Sequence, residues 1–134
     1  MKKKLLITNS ASSTTIVLKS NYLNTYLKEI TKKNNKIFFI IDKKVKYIFK
    51  NFNKSEKLNV IYVKGGENIK NFKLYNNICE KLLSQKIDRE SSIVAIGGGT
   101  IGDLSGFIAS TLLRGINFVL VPTTLLSQVD SSIG

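Results

Sequence analysis

Residues 92–103 read SIVAIGGGTIGD: a short apolar run, three glycines, then Gly102 and Asp103. Gly97, Gly99 and Gly102 fit G-x-G-x-x-G between a predicted strand (Ser92–Ile96) and a predicted helix (about Thr100–Leu113). These residue types suit an anion. Glycine lets a backbone come close, and the free N–H groups at a helix start point at a phosphate. A tight structural turn accounts for one or two glycines, not for four followed by an acid. The usual dinucleotide motif sits on the first strand and has an acid about 20 residues further on for a ribose. Here the turn falls late and the next acid is Asp130. The pattern is a nucleotide-type turn in a non-standard place. Asp103 is expected in the first turn of the helix, where the dipole favours an acid. It would repel a diphosphate, so any ligand contact would be to a hydroxyl. Gly106, four residues beyond Gly102, reads as a close-packing position.

Other groups with chemistry follow predicted strands. Asp42 ends the apolar run Lys36–Ile41; Gly65, Gly66 and Glu67 follow Leu58–Val63; Pro122, Thr123 and Thr124 follow Asn117–Val121, with Gln128, Asp130, Ser131 and Ser132 close behind. An acid at Asp42 either holds a ribose hydroxyl pair or caps the next helix. Glu67 with Lys70, taken alone, reads as a turn with a surface ion pair. Arg114 precedes Gly115 after an apolar helix, the ordinary place for a cation and for a C′ glycine. Arginine is also suited to bidentate phosphate contact. Cys79 lies on an apolar helical face and reads as core. The chain has no histidine and no Cys, Asp and Glu cluster at metal-ligand spacing, so it cannot build a His-based triad or a usual zinc site by itself.

The elements that must position these groups alternate. Thr15–Lys19 reads as a strand, and a helix capped by Ser20 or Asn21 carries Tyr22, Leu23, Tyr26, Leu27 and Ile30 on one face. Val45, Ile48, Phe49 and Phe52 suggest a short helix, and Asn71 can cap a helix bearing Phe72, Tyr75, Ile78, Cys79, Leu82 and Leu83. Strands that are apolar throughout, separated by helices, mean a mostly parallel sheet covered on both faces. The fold class is α/β, Rossmann-like. The strand ends then share one edge, and their polar groups can converge on one ligand.

Composition narrows the class. With 43% hydrophobic and 22% charged residues in 134, the chain is globular and one domain at most. No apolar run approaches a membrane span, and the basic start precedes only Leu5, Leu6 and Ile7, too short for a signal peptide. One cysteine fits a reducing, cytoplasmic setting. The net charge of +12 invites nucleic acid, but the lysines are dispersed and Arg89 and Arg114 are the only arginines. Solvated faces account for that charge better than a nucleic-acid surface.

GGGTIGDLSGFIAS, LLRG and VPTTLLSQVDSSIG together resemble the 3-dehydroquinate synthase family, with GGENIK (Gly65–Lys70) and IIDKKV (Ile40–Val45) resembling its upstream segments. The resemblance covers residues 36–134 in order. The glycine turn alone is shared with sugar-phosphate cyclases and with metal-dependent glycerol and alcohol dehydrogenases. The resemblance implies the N-terminal, NAD-binding α/β part (residues 1–134) of a two-domain homodimer whose helical C-terminal domain holds zinc or cobalt. The implied reaction converts 3-deoxy-arabino-heptulosonate 7-phosphate to 3-dehydroquinate and phosphate, through transient oxidation of a ring hydroxyl by NAD. By position it implies Asp42 on the adenosine ribose, and Gly65, Gly66, Glu67, Asn68, Ile69 and Lys70 along NAD. It implies Gly99, Thr100, Ile101 and Gly102 past the diphosphate, Asp103 near the nicotinamide ribose, and Thr123 and Thr124 on the cofactor. Asp130 would reach substrate hydroxyls, and Arg114 the substrate phosphate in the partner subunit's site. Gly65 and Lys44 depart from the family's frequent Asp and Asn. Family members continue past Gly134 into Gly-Lys, and the metal's Glu and two His come later. The chain alone is therefore expected to be inactive. A truncated nucleotide-binding remnant, or part of a related cyclase or dehydrogenase, is the alternative.

Overall fold

The computed structural model describes residues 3–8, 13–19, 21–32, 36–49 and 58–133. The chain divides into two units, Met1–Lys33 and Asn34–Gly134.

In the first unit β1 (Lys3–Thr8) pairs antiparallel with β2 (Ser13–Leu18), from Lys3 beside Leu18 to Thr8 beside Ser13. β2 is the strand predicted at Thr15–Lys19. β1 was not predicted: KKLLIT is half polar, and cross-strand pairing supplies what its own pattern lacks. α1 (Leu23–Thr31) carries the predicted apolar positions, but it begins after Tyr22 with no side-chain cap. Asn21 takes a left-handed φ of 52° instead of capping, a conformation its short polar side chain tolerates, and Ser20 lies outside the described residues.

The second unit is built on β3 (Ile37–Asp42), β4 (Asn59–Val63), β5 (Ser92–Gly97) and β6 (Asn117–Pro122), each within a residue or so of its predicted place. They form one parallel sheet in the order β4-β3-β5-β6. β3 is buried along its whole length, which is why IFFIID has no polar alternation. α3 (Phe72–Ser84) and α4 (Gly99–Thr111) supply Ile78, Leu82, Ile101, Leu104 and Ile108 to a core with Phe38, Ile40, Ile93 and Ala95 from the strands. Cys79 belongs to the same core, and burial pushes its thiol pKa up. A 3-10 turn (Lys43–Val45) and the four-residue α2 (Lys46–Phe49) stand where a short helix was expected; Phe52 lies outside the described residues.

Asn71 caps α3, its side-chain oxygen accepting from the Leu74 N–H at 2.8 Å. α4 ends at Thr111, short of the predicted Leu113, because Leu113 and Arg114 take left-handed φ values of 52° and 70° ahead of Gly115 at 104°. No helix among the described residues is long and apolar enough to cross a membrane.

At the edge where the parallel strands start, Lys36 Nζ meets Asp88 Oδ2 at 3.0 Å, and the buried Ser91 hydroxyl donates to Asp88 Oδ1 at 2.7 Å. The Ser91 hydrogen bond and then Lys36 hold the Asp88 carboxyl below its ordinary 3.8. The folded value is thus below the unfolded one. The stabilisation is present above the ordinary carboxylate range and is lost as pH falls through the folded value. Asp88→Asn should lower the melting temperature at neutral pH and flatten its fall in acid, and thermal melts of both proteins across pH 2–7 read this directly.

Candidate functional site

Because the sheet is parallel, β3, β4, β5 and β6 all finish at one edge, and the residues after them gather there. β3 leads outward to β4 on one side, and β5 to β6 on the other. The β3–β5 boundary is therefore a topological switch point, where open α/β sheets leave a crevice for ligands.

The glycine turn opens directly at this boundary. Gly97 ends β5, Gly98 precedes α4 in an extended conformation, and Gly99 is the first helical residue. The opening N–H groups of α4 have no acceptor within the helix and face the crevice edge. Side chains would crowd this turn from three directions. A Cβ on Gly97 would lie 2.8 Å from Ile101 Cβ, one on Gly98 3.2 Å from Thr124 Cγ2, and one on Gly99 3.2 Å from Ser131 Oγ. A Cβ on Gly102 would lie 3.2 Å from Leu120. Gly106 differs from expectation: its added Cβ would meet the Phe118 ring at an ordinary 3.5 Å, so the tight approach falls one turn earlier.

The segment after β4 is laced to both neighbours. The Gly65 N–H donates to Asp42 Oδ1 at 3.4 Å, and the Gly66 N–H donates to Thr100 Oγ1 at 3.2 Å. Gly66 has φ 136°, a conformation that favours glycine. Asp42, buried at the end of β3, also accepts from the Lys44 N–H at 2.9 Å. Of the two roles open to it, capping is thus in place, and a hydroxyl-binding role has to coexist with that. A Cβ on Gly65 would collide with Asp42 Oδ2, which explains the glycine here.

Glu67 and Lys70 form the ion pair expected of the turn, at 3.5 Å, but Lys70 makes a shorter one with Asp103, at 2.9 Å. Hydrogen bonding to Asp103, then its charge, raises the Lys70 pKa above the ordinary lysine value. Asp103 is not in the first turn, as expected, but is the fifth residue of α4, because the helix already starts at Gly99. Its local partner is Lys70 rather than the helix dipole. Beside this pair a cleft of about 280 Å³ is lined by Phe72, Tyr75, Leu104 and Phe107.

Thr123 and Thr124 close the crevice on the β6 side. The Thr123 N–H donates to the Gly97 carbonyl at 2.8 Å. Thr124 caps α5 (Leu125–Val129), its Oγ1 accepting from the Ser127 N–H at 3.2 Å. That cap has a readable signal, a Thr directly ahead of an apolar run. α5 leaves Leu125, Leu126 and Val129 exposed, with Ile133 just beyond. Ser131 carries a buried Oγ without a hydrogen-bond partner beside Gly99. Nothing in the sequence distinguishes it from Ser132, whose Oγ donates to the Gln128 carbonyl at 3.1 Å.

The structure therefore brings Asp42, Gly65, Gly66, Glu67, Lys70, Gly99, Thr100, Asp103, Thr123 and Thr124 to one sheet edge. The side chains of Ile69 and Ile101 are in the core, so those two residues can present only backbone to a ligand. The Asn68 carbonyl accepts from Asn71 Nδ2 at 2.6 Å. Asp130 is exposed at the end of α5. Arg114 is not in this crevice. α4 runs from the site to the other edge, about 20 Å for 13 residues at the usual rise, and Arg114 follows its far end. Among the described residues no group of three His, Cys, Asp or Glu is placed to hold a metal.

A model of the family "3-dehydroquinate synthase N-terminal" matches residues 60–134, which include the glycine turn, the Lys70 loop and both threonines. The chain belongs to this family. The 3-dehydroquinate synthases of Staphylococcus carnosus (strain TM300) and Clostridium botulinum (strain Alaska E43 / Type E3) are 38% and 41% identical to it, each over 98% of the chain. It spans 38% and 40% of their lengths. Its fold is similar to that of 2-deoxy-scyllo-inosose synthase complexed with carbaglucose-6-phosphate, NAD+ and Co2+, with a TM-score of 0.82 and 25% identity over 98% of the chain and 38% of that structure. It is also similar to 2-epi-5-epi-valiolone synthase from Streptomyces hygroscopicus subsp. jinggangensis 5008 with NAD+ and Zn2+ bound, with a TM-score of 0.66 and 20% identity over 78% of the chain and 31% of that structure.

The crowding at Gly97 sets the shape of the 3-dehydroquinate synthase turn. Gly97→Ala should destabilise the chain by about 1–3 kcal/mol through overpacking against Ile101. Gly106→Ala, with ordinary clearance in a helix interior, should be neutral or stabilising by up to about 1 kcal/mol. Denaturant midpoints of the two variants, compared with the parent, test the assignment.

Proposed function

We propose that this chain is the cofactor-holding part of a 3-dehydroquinate synthase, a phosphate-eliminating lyase that converts 3-deoxy-arabino-heptulosonate 7-phosphate to 3-dehydroquinate in aromatic amino acid biosynthesis. The observation that carries this reading is the glycine turn opening at the switch point of a parallel sheet, in a chain of this family. NAD fits the residues present. The turn has no side chains where a diphosphate needs backbone donors, and Ser131 Oγ stands unpaired beside it.

In this reading Gly99, Thr100 and Ile101 bind the diphosphate through backbone N–H groups, while Gly102, whose N–H donates to the Gly98 carbonyl at 3.1 Å, lets the turn pack close to Leu120. Asp42 takes the adenosine ribose while still capping Lys44. The loop Gly65–Lys70 flanks the cofactor, Asp103 lies near the nicotinamide ribose, and Thr123 and Thr124 hold the other side. NAD, when bound, supplies a hydride acceptor that returns its hydride within the turnover. Asp130 orients substrate hydroxyls. Arg114, remote from its own crevice, serves the phosphate site of the second subunit in a homodimer.

A divalent metal does not fit the described residues, and the chain has no histidine. A divalent metal such as the Co2+ bound to 2-deoxy-scyllo-inosose synthase therefore needs ligands from further polypeptide. The 134 residues alone bind cofactor without turning over. The biosynthetic role and the single cysteine support a cytoplasmic setting.

Calorimetric titration of the chain with NAD should show one site per chain. Gly99→Val, whose side chain would press on Ser131 at the opening of α4, should weaken NAD at least about tenfold, the scale of one lost charged-group contact. Heat from NAD that is unchanged in Gly99→Val would place any binding elsewhere and sink the proposal. Phosphate release from the sugar-phosphate substrate should stay at background for the chain alone.

A further inference from the structure

Asp103 poses an electrostatic problem for the site. It stands four positions after Gly99, so its backbone lies about 6 Å along the helix from the first N–H group that would hold a diphosphate, and its side chain leans back toward that end. That is inside the screening length at ordinary ionic strength. Glu67 adds a second carboxylate on the facing loop. Lys70 answers both, with Nζ at 2.9 Å from Asp103 and 3.5 Å from Glu67. Two carboxylates and one ammonium leave a local charge of −1 where the carboxylates alone would leave −2.

Lys70 is not poised as an anion ligand. Its ammonium is committed to carboxylates on two segments, and it helps tie the loop after β4 to α4 beside the Gly66–Thr100 hydrogen bond. Resting on the reading of this crevice as a dinucleotide site, we infer that Lys70 is a positioning residue that pins Asp103 and takes up its charge. The glycine turn then retains a diphosphate that it would otherwise repel.

The test is a double-mutant cycle in the 134-residue chain, titrated with NAD and with adenosine, which lacks the diphosphate. Lys70→Gln should weaken NAD about tenfold, the effect of one uncompensated charge at this range, and leave adenosine unchanged. Adding Asp103→Asn should restore NAD to within about threefold, since Asn drops the charge but keeps an acceptor for a ribose hydroxyl. Lys70→Arg should keep the parent affinity. No recovery in the double variant, or equal losses of NAD and adenosine, would make Lys70 a direct ligand or a structural tie and overturn the inference alone. A parent chain that binds no NAD overturns the reading of the crevice and this inference with it. Asp103→Asn alone gives an independent check: NAD bound more weakly than by the parent chain counts against screening. Thermal midpoints confirm that each variant is folded.

Discussion

The backbone ladder between β3 and β5, in register from Ile37 beside Ser92 to Ile41 beside Ile96, joins the two halves of the sheet at the point where they turn away from each other. Its residues are almost completely buried, so its polar groups have no water to fall back on, and each bond lost there costs about 1–3 kcal/mol. The ladder also fixes where the site opens. Asp42 and Gly97 are the residues that follow the last paired ones, and their placement side by side brings a capping carboxylate and a phosphate-type turn to one crevice. The loop after β4 and the threonines after β6 are then drawn in as flanking walls.

Around this ladder the site is assembled mostly from small steric facts. Ile101 sits where a side chain on Gly97 would go, and Asp42 where one on Gly65 would go. The glycines are therefore explained by core and site neighbours together, not by ligand approach alone. This ties the shape of the turn to the core through a single residue, Ile101, which is fully buried and one helical turn away.

The sequence made β3 to β6 and α3 readable because fully buried strands are apolar without interruption, and because Asn71 is a strong capping residue in front of a periodic face. Other elements were hidden for physical reasons. β1 depends on its partner strand. Asn21 looks like a cap but serves a left-handed turn. The end of α4 is set by the left-handed Leu113 and Arg114, which no local preference favours. At the site, the strand-end groups were legible from position. The pairing of Lys70 with Asp103 was not, since the partners are 33 positions apart and only the sheet order brings them together. Ser131 and Ser132 are the same residue type in sequence and differ only by what lies next to them.

α5 has a consequence for how the chain behaves among its own copies. Leu125, Leu126, Val129 and Ile133 present apolar surface to water, on a molecule whose net charge is +12. Like charge keeps copies apart while the Debye length is long, and added salt removes that protection without covering the apolar row. For the 134 residues taken by themselves, dilute buffer therefore favours dispersed molecules, and added salt brings the exposed leucines into play.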